Sequence, residues 1–208
     1  MIKRLDISGR HVSQYLQKLL ILSGQPVHPL KDVPHIRQMK ESICYLSEDG
    51  SYLGSTEEFI LPDKRVIKVG AERIQAPKIL FDPLLYNVDA PGIADMIFNS
   101  VQESDLNIRS ELYSNIVLAG GSTMFRGFKS RLEADLQSRY IDTILHNDVG
   151  RYRKERIRVV DVSNRNQTVF IGGSILSEMT RQNKDFWTAK GEYEDKGLEH
   201  CLKRLHPG

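Results

Sequence analysis

Apolar positions along this chain fall into stripes whose period changes from segment to segment. Val12, Tyr15, Leu16, Leu19 and Leu20 recur at three- and four-residue spacing, which predicts an amphipathic helix. Gly24 follows where a left-handed C-terminal cap belongs. A second helix is predicted after Asp32, an N-cap residue type, with Pro34 in its first turn and Ile36, Met39, Ile43 and Leu46 on its apolar side. Phe59-Ile60-Leu61 and Val66-Ile67-Lys68-Val69 flank Pro62-Asp63-Lys64 and read as a hairpin ending at Gly70. Helical spacing returns at Ala94, Ile97, Phe98 and Val101, and a short helix N-capped by Asp105 comes next. Ile116-Val117-Leu118-Ala119 has the length of a buried strand and stops at Gly120-Gly121-Ser122, after which Phe128, Leu132, Leu136 and Tyr140 trace one helical face. Residues 157–162 alternate loosely as a strand. Val169-Phe170-Ile171 is predicted as another, ending in Gly172-Gly173-Ser174 and entering a helix through Ile175, Leu176 and Met179. The unit strand, Gly-Gly-Ser, helix therefore occurs twice. Such alternation predicts an α/β fold with a sheet covered by helices.

Seven of the eight prolines precede residue 92, so the chain is expected to change character near Pro91-Gly92. At 208 residues it suits one large domain or two small ones, and a core of that size needs no disulfide or metal staple. The net charge of +2 gives no reason to expect nucleic acid or a membrane surface as partner. Two distant cysteines, Cys44 and Cys201, fit a reducing compartment. No apolar run approaches the length of a membrane span. The reading is a cytoplasmic globular chain.

Few segments carry candidate chemistry. Glycines in the two Gly-Gly-Ser turns allow a close backbone approach to a ligand, and a helix that follows points amide N–H groups toward anions. Neither turn is a G-x-G-x-x-G or a phosphate loop, so close packing of helix on sheet is their plain reading. Lys40 and Glu41 project about 100° apart on a helix and cannot form one catalytic pair. A solvated face is their default, and the wall of a ligand pocket, with Arg37 one turn earlier, is the alternative. Arg151, Arg153, Lys154, Arg156 and Arg158 form a basic cluster, with Tyr152 as its one aromatic neighbour. It reads as a solvated connection rather than a base-stacking surface. The six histidines include no His-x-x-x-His pair, and no Gly-x-Ser-x-Gly elbow occurs.

Several of these segments resemble a known family. Leu5-Asp6-Ile7-Ser8-Gly9-Arg10, Met39-Lys40-Glu41-Ser42-Ile43-Cys44-Tyr45, Leu61-Pro62-Asp63, Leu118 to Met124 and Phe170 to Ser174 look like the carboxyl-terminal half of actin, in order and over essentially the whole chain. Ile67 to Arg73, the connection through 141–156 and the ending from Phe186-Trp187 to Leu205 are similar to a branch of the actin family with a longer connection than conventional actin. The resemblance implies an α/β, actin-like ATPase-domain fold, C-terminal half only, with a mixed sheet, covering helices and a helical outer subdomain. Residues 9–88 would form the small outer subdomain (subdomain 4-like). Residues 89–167 would form the inner one (subdomain 3-like, with an incomplete sheet), and 168–208 would return to the other lobe.

That family grips ATP and a divalent cation between two lobes. By resemblance, Arg37, Lys40 and Glu41 would line the adenosine end of the cleft, with Gly9 near its base. The turn Gly120-Gly121-Ser122-Thr123-Met124-Phe125 would pass beneath the nucleotide. Phe125 stands where the family commonly has tyrosine, and Asn166 where a lysine usually borders the adenine. Both phosphate loops, the cation-holding aspartate and the water-orienting glutamine belong to the family's amino-terminal half, so the cation would be held mainly there. The expectation is a truncated chain or fragment that does not hydrolyse ATP alone and leaves an unpaired edge or exposed apolar face. The partners implied are actin and the other subunits of a complex that nucleates branched actin filaments, with no membrane and no specific nucleic acid. A filament-forming actin-like protein is the runner-up. An independent ATPase or kinase of the same fold is the enzyme-class alternative, and nucleic-acid binding through 151–158 is a third.

Overall fold

A computed structural model describes residues 2–48, 51, 54, 56–152, 157–183 and 186–205. They divide into two compact units, Met1–Asn166 and Gln167–Gly208.

The first unit begins with α1 (Gly9–Leu22), whose Val12, Leu16 and Leu20 lie one turn apart and are fully buried. The Ser8 amide donates to His11 Nδ1 at 3.0 Å, which satisfies one N-terminal donor outside the helical ladder. Ser23 and the left-handed Gly24 (φ 76°) end it. α2 (Val33–Ile43) packs on α1 through Ile36 and Met39. Asp32 sits at its N-cap position yet makes no capping bond. The carboxylate is taken instead by the hairpin, where Arg65 Nη1 and Nη2 donate to Asp32 Oδ2 and Oδ1 at 2.9 and 2.8 Å.

That hairpin is antiparallel, with β1 (Glu57–Ile60) against β2 (Val66–Val69) in the register Phe59 to Ile67. Lys64 takes a left-handed conformation in the turn (φ 68°). Ile67 and Val69 face the core while Val66 and Lys68 face out, the two-residue period of a half-buried strand. α3 (Glu72–Lys78) packs on α1. Its Pro77 lacks an amide, so the Arg73 carbonyl has no partner one turn on and accepts the Tyr45 amide at 3.2 Å. The proline thereby ties α3 to the chain leaving α2.

α4 (Ile93–Gln102), α5 (Arg109–Ser114) and α6 (Phe128–Thr143) complete the unit's helices, with α4 packed between α5 and α6. α6 buries Phe128, Leu132, Leu136 and Tyr140, the stripe its sequence spacing predicts. β3 (Ile116–Val117) and β4 (Val159–Val160) pair in parallel on either side of α6 in sequence. One buried cluster runs from Ile7 to Val159 and crosses the region of Pro91-Gly92.

Several sequence-based expectations change. The predicted strands 116–119 and 157–162 contract to two residues each, although the Leu118 amide still donates to the Val160 carbonyl at 3.2 Å. Asp105 does not cap α5, because its Oδ1 accepts the Asn107 amide at 2.9 Å and closes a turn before the helix starts. Val117 is 63% exposed, an uncovered apolar side chain on β3.

In the second unit the strand predicted at Val169-Phe170-Ile171 is a helix. α7 spans Thr168–Met179, and the Ile171 amide donates to the Gln167 carbonyl at 3.0 Å. Among the described residues no strand pairs with this segment. A helix satisfies its own backbone groups, whereas a lone strand leaves them to solvent. Gly172 and Gly173 therefore lie inside a helix, at about 1 kcal/mol each relative to alanine, and do not repeat the turn at Gly120. α8 (Lys190–Leu205) is broken at Gly197, whose φ is 75°. Trp187 Nε1 donates to the Thr180 carbonyl at 2.9 Å after α7.

Candidate functional site

Three segments of the first unit meet at one cleft of about 1250 Å³. α1 presents its first turn and polar face, α2 the side carrying Ile36, Arg37, Lys40 and Glu41, and Gly121–Phe125 a tight turn after β3. At 8% exposure Lys40 is among the few buried charged residues of those described. Its ammonium donates to the Gly9 carbonyl at 3.1 Å, and that oxygen also accepts Ser13 Oγ at 3.1 Å. The Gly9 amide donates to Ser122 Oγ at 3.2 Å. A Cβ on residue 9 would stand 3.3 Å from Ser122 Oγ and 3.4 Å from Lys40 Nζ, so glycine lets the three segments close on one point.

Electrostatically the cleft is lopsided. Burial pushes the Lys40 ammonium below the usual lysine range, with Glu41 opposing that shift. Glu41 Oε1 lies 3.8 Å from Lys40 Nζ and accepts Arg37 Nε at 3.0 Å, where both Arg37 and Glu41 stay exposed. The solvated-face default thus describes Arg37 and Glu41 but fails for Lys40. Nearby, burial pushes the Cys44 thiol up to about 12.

The turn has the backbone that glycine permits. Gly120 adopts φ 90° and ψ 156°, outside the range of most L-residues, and a short 3₁₀ turn covers Gly121–Thr123. Of the residues singled out in sequence, Gly9, Arg37, Lys40, Glu41, Gly121, Ser122, Met124 and Phe125 line the cleft. Gly120 and Thr123 stand behind it. Thr123 Oγ1 donates to the Gly120 carbonyl at 2.8 Å, turned away from the opening. Asn166 also lines the cleft.

Other lining residues escaped the sequence reading. Ser13, Gln14 and Gln17 form the polar side of α1, and Arg126 follows the turn. Gly9, Ser13 and Gln17 repeat every four positions, a signal that could have marked one helix face. Arg165 was missed entirely, and nothing in its neighbours' spacing points to it.

The basic cluster separates differently. Arg151 pairs with Asp148 at 3.1 Å, while Arg153, Lys154 and Arg156 lie outside the described residues. Among the described residues no helix is long and apolar enough to cross a membrane.

A buried ammonium beside a glycine turn and a helix start favours an anionic ligand. The carboxylate lining the cleft, Glu41, is engaged by Arg37. Among the described residues no three His, Cys, Asp or Glu side chains converge to hold a metal ion. The described residues thus suit a phosphate-bearing ligand.

The actin family's sequence profile matches residues 1–206, and the chain belongs to the actin family. It is 45% identical over 211 residues to actin-related protein 2 of Drosophila melanogaster, covering 98% of this chain and 53% of that relative. Actin-related protein 2 of Arabidopsis thaliana is 40% identical over 213 residues, and that of Caenorhabditis briggsae 39% over 214. Each of these two alignments covers 99% of this chain and 54% of the relative. The chain spans about half the length of the curated relatives it matches.

Proposed function

We propose that this chain is an actin-related protein 2-like, ATP-binding subunit of the actin-related protein 2/3 complex, which nucleates branched actin filaments, and that it works in the cytoplasm as part of the cytoskeleton. The observation that carries this reading is the convergence of Lys40, Gly9 and Ser122 on one cleft, in a chain so similar to actin-related protein 2 of three organisms. Arg37, Lys40 and Glu41 form one wall for the adenosine moiety. Gly121, Ser122, Met124 and Phe125 form the other, and Gly120 and Thr123 hold the turn from behind.

In this reading residues 9–88 act as the outer subdomain, 89–167 as the inner one and 168–208 as the segment returning to the other lobe. The chain's own part is binding and conformational. A nucleotide that spans both walls favours the closed arrangement of the segments it touches, and that preference is passed to actin and to the other subunits. A divalent cation would accompany the phosphates. The residues described here do not supply its ligands, so no step is derived through it.

The test is affinity capture of the tagged chain from its own cells, followed by identification of what accompanies it. Recovery of actin-related protein 3 and the remaining complex subunits supports the reading. A chain that pellets as polymer with ATP and magnesium, without those subunits, favours the filament-forming alternative instead.

A further inference from the structure

Behind the cleft wall lies a closed set of hydrogen bonds centred on Arg165. This arginine is 8% exposed, so its charge and its five donors must be met inside the protein. Nε donates to Thr123 Oγ1 at 3.0 Å and to the Thr123 carbonyl at 3.1 Å, and Nη2 reaches the same carbonyl at 2.6 Å. Nη1 pairs with Asp161. The Thr123 hydroxyl passes the chain on to the Gly120 carbonyl at 2.8 Å, and the Gly120 amide returns to the Arg165 carbonyl at 2.8 Å. Guanidinium, hydroxyl, carbonyl and amide thus close a ring, in which the guanidinium polarises the Thr123 hydroxyl that donates to the Gly120 carbonyl.

The ring grips the turn at Gly120 and Thr123, the two of its residues that do not line the cleft. The Thr123 carbonyl ends the 3₁₀ segment and would otherwise be an orphan acceptor. A charged donor fork fixes its direction more tightly than a neutral partner would. Ser122, which meets the Gly9 amide, and Met124 and Phe125, which line the cleft, flank the gripped residue directly. Asn166, on the same cleft, follows Arg165 in the chain.

We propose that Arg165 is a positioning residue for the cleft's ligand, acting through Thr123 and Gly120 to set the turn that receives the base end of an adenine nucleotide. The inference rests on the adenosine reading of the cleft. Arg165→Lys keeps a charge for Asp161 but loses the fork, and Thr123→Val keeps the shape but opens the ring.

The experiment measures two quantities on the full chain, in whatever assembly it purifies with. One is amide hydrogen exchange without nucleotide, and the other is the dissociation constants of ATP and GTP. The expected result for Arg165→Lys is exchange accelerated about tenfold at Gly120, Thr123 and Met124, with the amides of α4 unchanged. ATP binding weakens about tenfold and the preference for ATP over GTP narrows. Thr123→Val moves the same amides and the same preference to a smaller extent. Unchanged affinities in a wild type that does bind ATP overturn the role of Arg165 and leave the adenosine reading standing. Acceleration spread evenly over the unit, with the ATP to GTP ratio unmoved, also overturns it, since that is the mark of plain stabilisation. A wild type that binds neither nucleotide overturns the adenosine reading itself, and this role with it.

Discussion

Lys40 Nζ and the Gly9 carbonyl oxygen lie 3.1 Å apart although 31 positions separate them in the chain. The bond ties the last turn of α2 to the first residue of α1 and leaves the rest of the ammonium's donors to the cleft. Lys40→Gln keeps a donor of shorter reach and removes the charge. The expected outcome is ATP affinity lowered about tenfold or more with a melting temperature within a few degrees of wild type. Nucleotide titration and thermal melts on the same samples check both halves.

Glycines around the site separate into those that packing requires and one that the ligand requires. A Cβ at Gly127, which has φ 80°, would stand 1.9 Å from the Leu46 carbonyl oxygen, and one at Gly92 would stand 1.9 Å from that of Phe81. Alanine at either position is expected to destabilise by about 3 kcal/mol or more, because backbone rather than a flexible side chain must move. Gly121 has open space around the same position, so Gly121→Ala should change stability by less than about 1 kcal/mol. It should still weaken ATP binding, since Gly121 lines the cleft. Urea unfolding with parallel binding measurements distinguishes the two classes.

Asp32 sets a pH dependence with a definite sign. The Arg65 guanidinium beside it, helped by the His28 amide, holds its carboxyl below the usual aspartate range. The folded chain therefore releases this proton more readily than the unfolded chain does. The stability it contributes is present above about pH 3.9 and is lost as pH falls through the lower folded value. Urea midpoints should decline more steeply below about pH 4 in wild type than in Asp32→Asn, which lacks the titrating group. Parallel declines in the two proteins would remove Asp32 from the account.

Cys44 should be chemically silent while the chain is folded. It is buried at the cleft wall, and a thiol pushed up to about 12 stays protonated at pH 8. Iodoacetamide at that pH is expected to leave Cys44 unmodified in native protein and to alkylate it fully in urea. Peptide mapping by mass spectrometry reads the difference.

Much of the first unit is legible in its spacing. Val12, Leu16 and Leu20, or Phe128, Leu132, Leu136 and Tyr140, announce their helices because burial repeats every turn. The hairpin is legible because Ile67 and Val69 alternate with exposed neighbours. Gly120-Gly121-Ser122 stood out because glycines end an apolar run there, whereas Lys40 read as a solvated helix residue and was placed at the cleft only through the resemblance to actin. What stayed hidden depends on distant partners. Asp32 looked like a cap because its bond to Arg65 spans 33 positions, and Arg165 looked like any surface arginine because Thr123 is 42 positions away. Val169-Phe170-Ile171 looked like a strand because β-branched and aromatic residues favour one, and only a pairing partner decides whether a strand forms.

Photolabelling tests the central claim most directly. The chain, irradiated with 8-azido-ATP and digested, should carry adducts on peptides containing Arg37 to Glu41 and Met124 to Arg126, and excess ATP should suppress them. Label that ATP does not suppress, or label confined to the acidic recess of Asp95, Asp135 and Asp142 between α4 and α6, would contradict an adenosine site built from α1, α2 and the Gly120 turn.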